Sequence, residues 1–303
     1  MEKSKYSGII PAFYACYDEN GNINGEAIEA FAEHLINKGV KGVYVGGSSG
    51  ECIYQSVAER KLVLERVMRV ARGRITVIAH VAANNTKDSC ELAAHAESLG
   101  VDAIAAIPPI YFHLPDYAII DYWNSISEAA PNTDFIIYNI PQLAGVALSP
   151  AALKKMLENP RVIGVKNSSM PVMDIQTFKA IGGEDFVVFN GPDEQLAGGL
   201  AMGAIGGIGG TYGVIPELYI KIKELVDAGD VKGACDLQQI ANEIISMLVS
   251  CHGNLYAVIK EIIKIREGIN LGSVRSPLPS LIDKDMPKVI ATAKRIDEVI
   301  NSL

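Results

Sequence analysis

Eight short apolar runs recur along the chain, and a longer segment with the periodicity of an amphipathic helix follows each of them. The spacing between successive runs, roughly 18 to 34 residues, is the size of one strand–helix unit. The runs are hydrophobic throughout rather than alternating, which is typical of strands buried on both faces of a parallel sheet. They cover residues 8–17, 42–47, 75–82, 103–109, 134–141, 162–168, 186–191 and 204–209. We therefore predict an α/β fold, a (β/α)8 TIM barrel.

The main alternative for such a pattern is an open, doubly wound sheet. That fold usually carries a glycine fingerprint after its first strand, and no GxGxxG follows the first run here. Beyond residue 229 the strand-like runs stop and three helical segments follow, at residues 234–249, 255–266 and 286–300. No linker rich in Pro or Gly precedes them. We expect residues 1–229 to form the barrel and residues 230–303 a C-terminal helical extension packed on it.

Composition excludes several classes of protein. The net charge is −8 over 303 residues, which disfavours nucleic acid as a partner because phosphate contacts need clustered Lys and Arg. No segment approaches the roughly 20 apolar residues that a membrane span needs. The five cysteines are scattered and form no CxxC, which favours reduced thiols and a cytoplasmic location. The five histidines show neither HxH nor HExxH spacing, so we predict no metal site.

One lysine stands apart from the others. Lys166 follows the apolar residues 162–165 at the end of the sixth run, whereas most lysines here lie among charged neighbours on helical segments. Catalytic residues of these barrels come from the carboxyl ends of strands. Burial there disfavours the charged amine, and a pKa near 7–8 would make it a usable nucleophile toward carbonyl carbons. The alternative is a strand-end lysine that is paired with a neighbouring carboxylate.

Two other strand ends carry groups suited to chemistry. The loop Gly46-Gly47-Ser48-Ser49-Gly50-Glu51 offers backbone N–H groups and two hydroxyls, a combination that suits a carboxylate or a phosphate. It is equally compatible with a plain turn in which Ser48 or Ser49 begins the next helix. Tyr138 ends the fifth run, where a phenol beside a cationic amine holds or passes a proton. For an isolated tyrosine, packing in the core is the competing interpretation.

The last two strand ends are less specific. Residues 206–210 lie where many barrels bind phosphate, although their glycines also suit close packing of a helix on a strand. Asp193 and Glu194 begin a helical segment, where acidic residues are favoured by the helix dipole. As a pair, these two carboxylates are also suited to binding sugar hydroxyls.

Taken together, these strand ends resemble one family, the pyruvate-dependent class I aldolases that include dihydrodipicolinate synthase and N-acetylneuraminate lyase. The family's glycine-rich loop, Tyr-Asn-x-Pro motif and Gly-x-Lys strand end are matched by residues 46–51, 138–141 and 164–166, in the same order. The resemblance covers nearly the whole chain. It implies a Schiff base on Lys166 and a proton shuttle at Tyr138.

The same resemblance implies that Ser48 and Ser49 hold the carboxylate of the keto acid, with Ser48 also among the catalytic residues. In the synthase branch the tyrosine motif continues with Gly-Arg-Thr, whose arginine binds a second carboxylate. Here residues 142–145 read Gln-Leu-Ala-Gly, with no arginine. The lyase branch instead carries the motifs Tyr-Asn-Ile-Pro, Lys-x-Ser/Thr-Ser and Asn-Gly-x-Asp-Glu. The sequence is similar to these motifs at residues 138–141, 166–169 and 190–194.

Resemblance to the lyase branch implies further site residues. Gly191, Asp193 and Glu194 would bind the sugar, and Ser168 would orient the substrate. Gly210 stands where some members carry Ser, and Pro192 where some carry Tyr, which leaves the preference among acylated sugars open. The resemblance also implies a homotetramer in which a tyrosine after the fourth run contributes to the site of a neighbouring subunit. Tyr111 is the candidate for this tyrosine.

The activity implied is a carbon–carbon lyase that cleaves N-acetylneuraminic acid to N-acetylmannosamine and pyruvate through a lysine imine, without a separate cofactor. Other possibilities remain at this point. The nearest is another pyruvate-dependent aldolase of the family, such as a dihydrodipicolinate synthase or a 2-keto-3-deoxy sugar acid aldolase. More distant ones are a non-catalytic ligand-binding barrel and a phosphate-binding barrel enzyme that uses residues 206–210.

Overall fold

The computed structural model describes residues 3–303, and within them eight parallel strands form one barrel. The strands are β1 (Ile9–Pro11), β2 (Gly42–Val45), β3 (Thr76–His80), β4 (Ala103–Ala106), β5 (Asp134–Asn139), β6 (Val162–Asn167), β7 (Val187–Asn190) and β8 (Gly206–Gly209). From β2 to β8 each strand pairs with the next in sequence, and β1 pairs with β8. A parallel bridge from Ala12 to Tyr44 closes the remaining gap. The predicted (β/α)8 barrel is therefore confirmed.

Helices connect the strands and surround the barrel. In the described part of the chain they are α1 (Gly25–Asn37), α2 (Val57–Ala71), α3 (Thr86–Leu99), α4 (Asp116–Glu128), α5 (Pro141–Ala144), α6 (Pro150–Met156), α7 (Met173–Gly182), α8 (Leu196–Ala201), α9 (Pro216–Asp227), α10 (Val231–Val249), α11 (Leu255–Glu267) and α12 (Met286–Ile300). Local chemistry sets their starts: Ser56 accepts a hydrogen bond from the Glu59 backbone, and the Glu59 carboxylate accepts one from the Ser56 backbone. Such reciprocal capping satisfies N–H groups that a helix start leaves without partners. None of these helices is both long enough and apolar enough to cross a membrane.

Buried apolar side chains fill two spaces. One lies inside the barrel, where Ile10, Tyr44, Ile78, Ile136 and Phe189 belong to the same cluster. The other lies between the strands and the surrounding helices. Successive residues of a strand point to opposite faces, so every strand contributes to both spaces. Lys166 therefore extends into the inner space from a strand whose intervening residues face the helices.

The C-terminal helices share the outer core with the barrel. Ile244 of α10, Ile262 of α11 and Ile296 of α12 are buried in the same cluster as the barrel helices. Gln238 of α10 donates to the backbone oxygen of Asp193 over 2.9 Å. The extension thus contacts loops at the carboxyl end of the barrel, while the chain division at residue 229 stays a prediction.

Candidate active site

Lys166 lies in the barrel interior with few polar neighbours. Strand register places it between Tyr138 of β5 and Phe189 of β7, and 5% of its surface is exposed. Its Nζ is 3.9 Å from the ring centroid of Tyr138 and 4.4 Å from that of Tyr44. No carboxylate within residues 3–303 forms an ion pair with it, so the ion-paired alternative does not apply.

The protonation of this amine follows from its burial. Loss of hydration disfavours the ammonium and lowers the pKa of Lys166 to about 7, an effect that the negative charge of Asp193 partly opposes. The neutral form of the amine is therefore populated at neutral pH. A neutral, buried amine that is held between two aromatic rings is able to attack a carbonyl carbon.

The phenol of Tyr138 lies beside this amine and meets two serines. Burial raises the pKa of Tyr138 to about 12, whereas hydrogen bonds with Ser168 and Ser48 lower it. Ser48 comes from the loop after β2 and Ser168 from the end of β6. The structure therefore brings together four residues that the sequence analysis selected from three different strand ends.

The glycine-rich loop after β2 adopts a tight conformation. Gly46 has φ of +75°, a value that favours glycine, and its carbonyl oxygen is 2.8 Å from Nδ1 of His80. A single 3₁₀ turn follows at Ser48–Gly50. Ser49 is buried, and its Oγ donates to the hydroxyl of Tyr256 over 2.8 Å. The loop thus presents Ser48 to the phenol of Tyr138 while Ser49 contacts helix α11.

The end of this loop is anchored by a buried ion pair. The carboxylate of Glu51 accepts from Nζ of Lys260 over 2.7 Å, and both side chains are fully buried. The second oxygen of Glu51 accepts from the backbone N–H of Arg275 over 2.8 Å. Lys260 also donates to the backbone oxygen of Ser273 over 2.9 Å. The C-terminal extension therefore determines where the loop lies.

The two acidic residues after β7 have different surroundings. Asp193 is buried, and its Oδ2 accepts from both the backbone N–H and the hydroxyl of Thr211 over 2.6 Å. Burial raises the pKa of Asp193 to about 6, and the bonds from Thr211 oppose that rise. Glu194 is exposed. Only Asp193 lies within the buried part of the site.

Two glycines leave room for neighbouring hydroxyls. A Cβ on Gly191 would lie 2.0 Å from Oγ of Ser168, so a side chain there would displace that serine. A Cβ on Gly210 would lie 3.0 Å from the hydroxyl of Tyr256 and 3.4 Å from Oγ of Ser49. Both glycines therefore line the same space as the hydroxyl groups of the site.

Tyr111 lies apart from this cluster. It occupies the segment between β4 and α4, has φ of +85° and is 87% exposed. Its ring meets Phe112 edge-on, with the ring centroids 5.0 Å apart. Within one chain, the structure does not bring Tyr111 to Lys166.

Sequence reasoning missed three residues that the structure places in or behind the site: Tyr44, Tyr256 and Lys260. Tyr44 is one of several aromatic residues in the apolar runs, so nothing marked it. Tyr256 and Lys260 lie one helical turn apart, which was a usable signal that both face the same neighbour. Within the described ranges no group of three or more His, Cys, Asp or Glu side chains is arranged to hold a metal ion.

Comparisons with known proteins agree with this geometry. The model of the dihydrodipicolinate synthetase family matches residues 5–296. An N-acetylneuraminate lyase of Mediterraneibacter gnavus is 64% identical over 292 residues, which cover 96% of this chain and 93% of that protein. The structure of the wild-type sialic acid aldolase of Ruminococcus gnavus has a TM-score of 0.97 and 63% identity, covering 98% of this chain and 99% of that one. A structure of its catalytic lysine mutant has a TM-score of 0.98 and 62% identity, covering 99% and 98%.

Proposed function

This chain belongs to the dihydrodipicolinate synthetase family, and on that premise we propose that it is an N-acetylneuraminate lyase. The observation that carries the proposal is the unpaired, buried Lys166 beside Tyr138, in a chain 64% identical to a lyase of that name. The relative that was solved as a catalytic lysine mutant supports an amine as the reactive group. The enzyme is a carbon–carbon lyase of the class I aldolase type.

Catalysis begins at the neutral amine. Lys166 attacks the C2 ketone of open-chain N-acetylneuraminic acid, and loss of water leaves a protonated imine. This cation withdraws electrons from the C3–C4 bond, which prepares that bond for cleavage. The imine forms from the side chain and the substrate, so the proposed reaction uses no separate cofactor.

The loop serines, Ser48 and Ser49, act on the carboxylate of the substrate, whereas Tyr138 acts on its C4 hydroxyl. The serine hydroxyls and backbone N–H groups of the loop hold the substrate carboxylate. The phenol of Tyr138, which is protonated at neutral pH, passes its own proton to that carboxylate as it takes the proton of the C4 hydroxyl, while the C3–C4 bond breaks. N-acetylmannosamine leaves as the aldehyde, and the electron pair remains on the lysine-bound enamine. Protonation at C3 and hydrolysis of the imine release pyruvate and restore the amine.

The sugar portion lies over the ends of β6 to β8. Its hydroxyls need acceptors, and Asp193 has one carboxylate oxygen that Thr211 does not occupy. Glu194, Gly191, Ser168 and Gly210 complete this region as proposed binding groups. Pro192 and Gly210 are the positions at which we expect preferences among acylated substrates to be set.

The assembly and location belong to the same proposal. We assign a homotetramer in which Tyr111 enters the site of a neighbouring subunit, and its 87% exposure in a single chain supports this. Cys16, Cys52, Cys90, Cys235 and Cys251 are free in the described structure. Free thiols support the cytoplasm as the location.

The function is tested by product analysis. Purified protein and N-acetylneuraminic acid should give equal amounts of pyruvate, measured by a coupled dehydrogenase, and N-acetylmannosamine, measured by chromatography. A 2-keto-3-deoxy sugar acid, and pyruvate with aspartate semialdehyde, serve as competing substrate sets. Faster turnover of either set than of N-acetylneuraminic acid would overturn the assignment.

A further inference from the structure

Two hydroxyl groups and a glycine from distant parts of the chain meet beside the glycine-rich loop. Oγ of Ser49 lies 2.8 Å from the hydroxyl of Tyr256. A Cβ built on Gly210 would be 3.0 Å from that same hydroxyl and 3.4 Å from Ser49 Oγ. The Tyr256 hydroxyl therefore occupies the space into which a side chain at position 210 would extend.

From this juxtaposition we infer that Tyr256 is a positioning residue for the keto-acid carboxylate, acting through Ser49, and that Gly210 is glycine to make room for its hydroxyl. The inference rests on the proposed function, because it concerns the carboxylate that Ser49 binds there. It adds a residue of the C-terminal extension to the recognition of the substrate.

Proton counting explains why a second hydroxyl is needed. A serine hydroxyl has one proton to donate and also accepts hydrogen bonds. In the structure, Ser49 donates to Tyr256. A carboxylate accepts only, so Ser49 turns its proton toward the bound carboxylate and then accepts from Tyr256. The buried pair keeps its hydrogen bond in both states, and the serine is held in line for the carboxylate.

Helix α11 holds the tyrosine in place. The side chain of Asn254 accepts from the backbone N–H of Tyr256 over 3.0 Å at the start of the helix. One turn later, Lys260 pairs with Glu51 at the end of the same loop. Tyr256 and Lys260 therefore contact the loop from one rigid helix, which fixes the distance between the hydroxyl and Ser49.

The first test replaces only the hydroxyl. In Tyr256→Phe, we expect the half-saturating pyruvate concentration, measured by calorimetry, to rise about tenfold, since a hydrogen bond supporting a charged ligand is lost. The maximal rate of borohydride trapping at saturating pyruvate should change less than twofold. Tyr6→Phe is the matched control, because it likewise removes the hydroxyl of a buried tyrosine. The Tyr6 hydroxyl donates to Asp134, at the opposite end of the barrel. The pyruvate affinity of this control variant should equal that of the wild type.

The second test uses the steric conflict between a side chain at position 210 and the hydroxyl of Tyr256. Gly210→Ser should weaken pyruvate binding in the wild-type background, because the new Cβ crowds the Tyr256 hydroxyl. In the Tyr256→Phe background the same substitution should strengthen binding, because it supplies a hydroxyl near Ser49. A purely structural role for Tyr256 would not reverse the sign of this effect.

The outcomes separate this inference from the proposed function. If Tyr256→Phe binds pyruvate like the wild type, or if Gly210→Ser is equally harmful in both backgrounds, the role of Tyr256 is wrong even when sialic acid is cleaved. If the predicted shifts appear but N-acetylneuraminic acid is not cleaved, only the function is wrong. If the wild type binds no pyruvate, both are wrong.

Discussion

Two buried lysines in this protein have opposite surroundings. Lys166 lies in the barrel interior and Lys260 at the junction with the C-terminal extension, and each has a tyrosine ring within 5 Å of its Nζ. Lys260 is paired with Glu51 at 2.7 Å and also donates to a backbone oxygen. Lys166 has no such partner among the described residues, and the charge it feels most is that of Asp193.

The difference shows what makes a buried amine reactive. Burial lowers the pKa of both lysines, and Glu51 opposes that fall at Lys260. A bound carboxylate also occupies the amine and blocks its approach to a carbonyl carbon. Burial without an ion pair therefore creates the nucleophile, whereas burial with one creates an anchor.

The largest effect should come from removing the nucleophile. Lys166→Arg keeps a long basic side chain but cannot form an imine, so we expect a loss of at least about 10⁴-fold in kcat, comparable to removal of other nucleophiles. The check is pyruvate release from N-acetylneuraminic acid under single-turnover conditions. Residual activity within tenfold of the wild type would contradict the assignment.

Next come the tyrosines beside the two lysines. Tyr138→Phe should lower kcat about 10²- to 10⁴-fold, since the group that transfers the proton is lost. Tyr17→Phe is its counterpart beside Lys260 and should leave kcat unchanged. Steady-state kinetics measure kcat for both variants. Equal losses of kcat would show that the surroundings of the two lysines do not differ as described.

Breaking the anchor should cost stability rather than chemistry. Lys260→Met leaves Glu51 buried without its partner, which should lower the free energy of unfolding by about 3–5 kcal/mol. Thermal or denaturant unfolding measures this loss, and the double variant Lys260→Met/Glu51→Gln should recover part of it. A Lys260→Met protein as stable as the wild type would show that the pair is not an anchor.

The pH dependence of imine formation should report Lys166. Its pKa of about 7 implies a plateau above pH 8 and a fall of about tenfold per pH unit well below pH 7, where the amine is protonated. Asp193, with a pKa of about 6, loses its charge in the same acidic range. Stopped-flow trapping with pyruvate from pH 5 to 9 measures the midpoint, and a midpoint above pH 9 would contradict the burial argument.

The smallest effect is on stability at Lys166 itself. The folded pKa of about 7 lies below the unfolded value of 10.5, so the wild type carries a cost that is complete below pH 7 and disappears as pH rises toward 10.5. Lys166→Met removes this cost, but it also removes the contacts of the amine with the rings of Tyr44 and Tyr138, which oppose most of the gain. We therefore expect a small net rise in Tm at pH 6, about 2–4 °C for about 1 kcal/mol. The advantage should shrink between pH 7 and 10. A lower Tm at pH 6, as expected for Lys260→Met, would contradict the difference between the two lysines.

The barrel could be predicted from sequence because each strand buries both faces and therefore appears as a continuous apolar run. The clustering of Lys166, Tyr138, Ser48 and Ser168 also followed, since the carboxyl ends of the strands in a closed barrel meet at one end. The roles of these residues are proposals that the variants above test.

The support behind the site could not be predicted in the same way. Glu51 and Lys260 are 209 residues apart, and Ser49 and Tyr256 are 207 apart. No local pattern encodes a contact between a strand-end loop and a helix that follows the barrel. The sequence also could not predict that Asp193 is buried and Glu194 exposed, because a single 3₁₀ turn directs these adjacent side chains to different surroundings.

The central claim, that Lys166 is the reactive amine, is tested most directly by locating the imine. The protein is incubated with pyruvate, reduced with borohydride and digested, and the modified peptide is identified by mass spectrometry. The account predicts that the label lies on Lys166 and that Lys260 stays unmodified. No label on Lys166, or equal labelling of the two lysines, would contradict it.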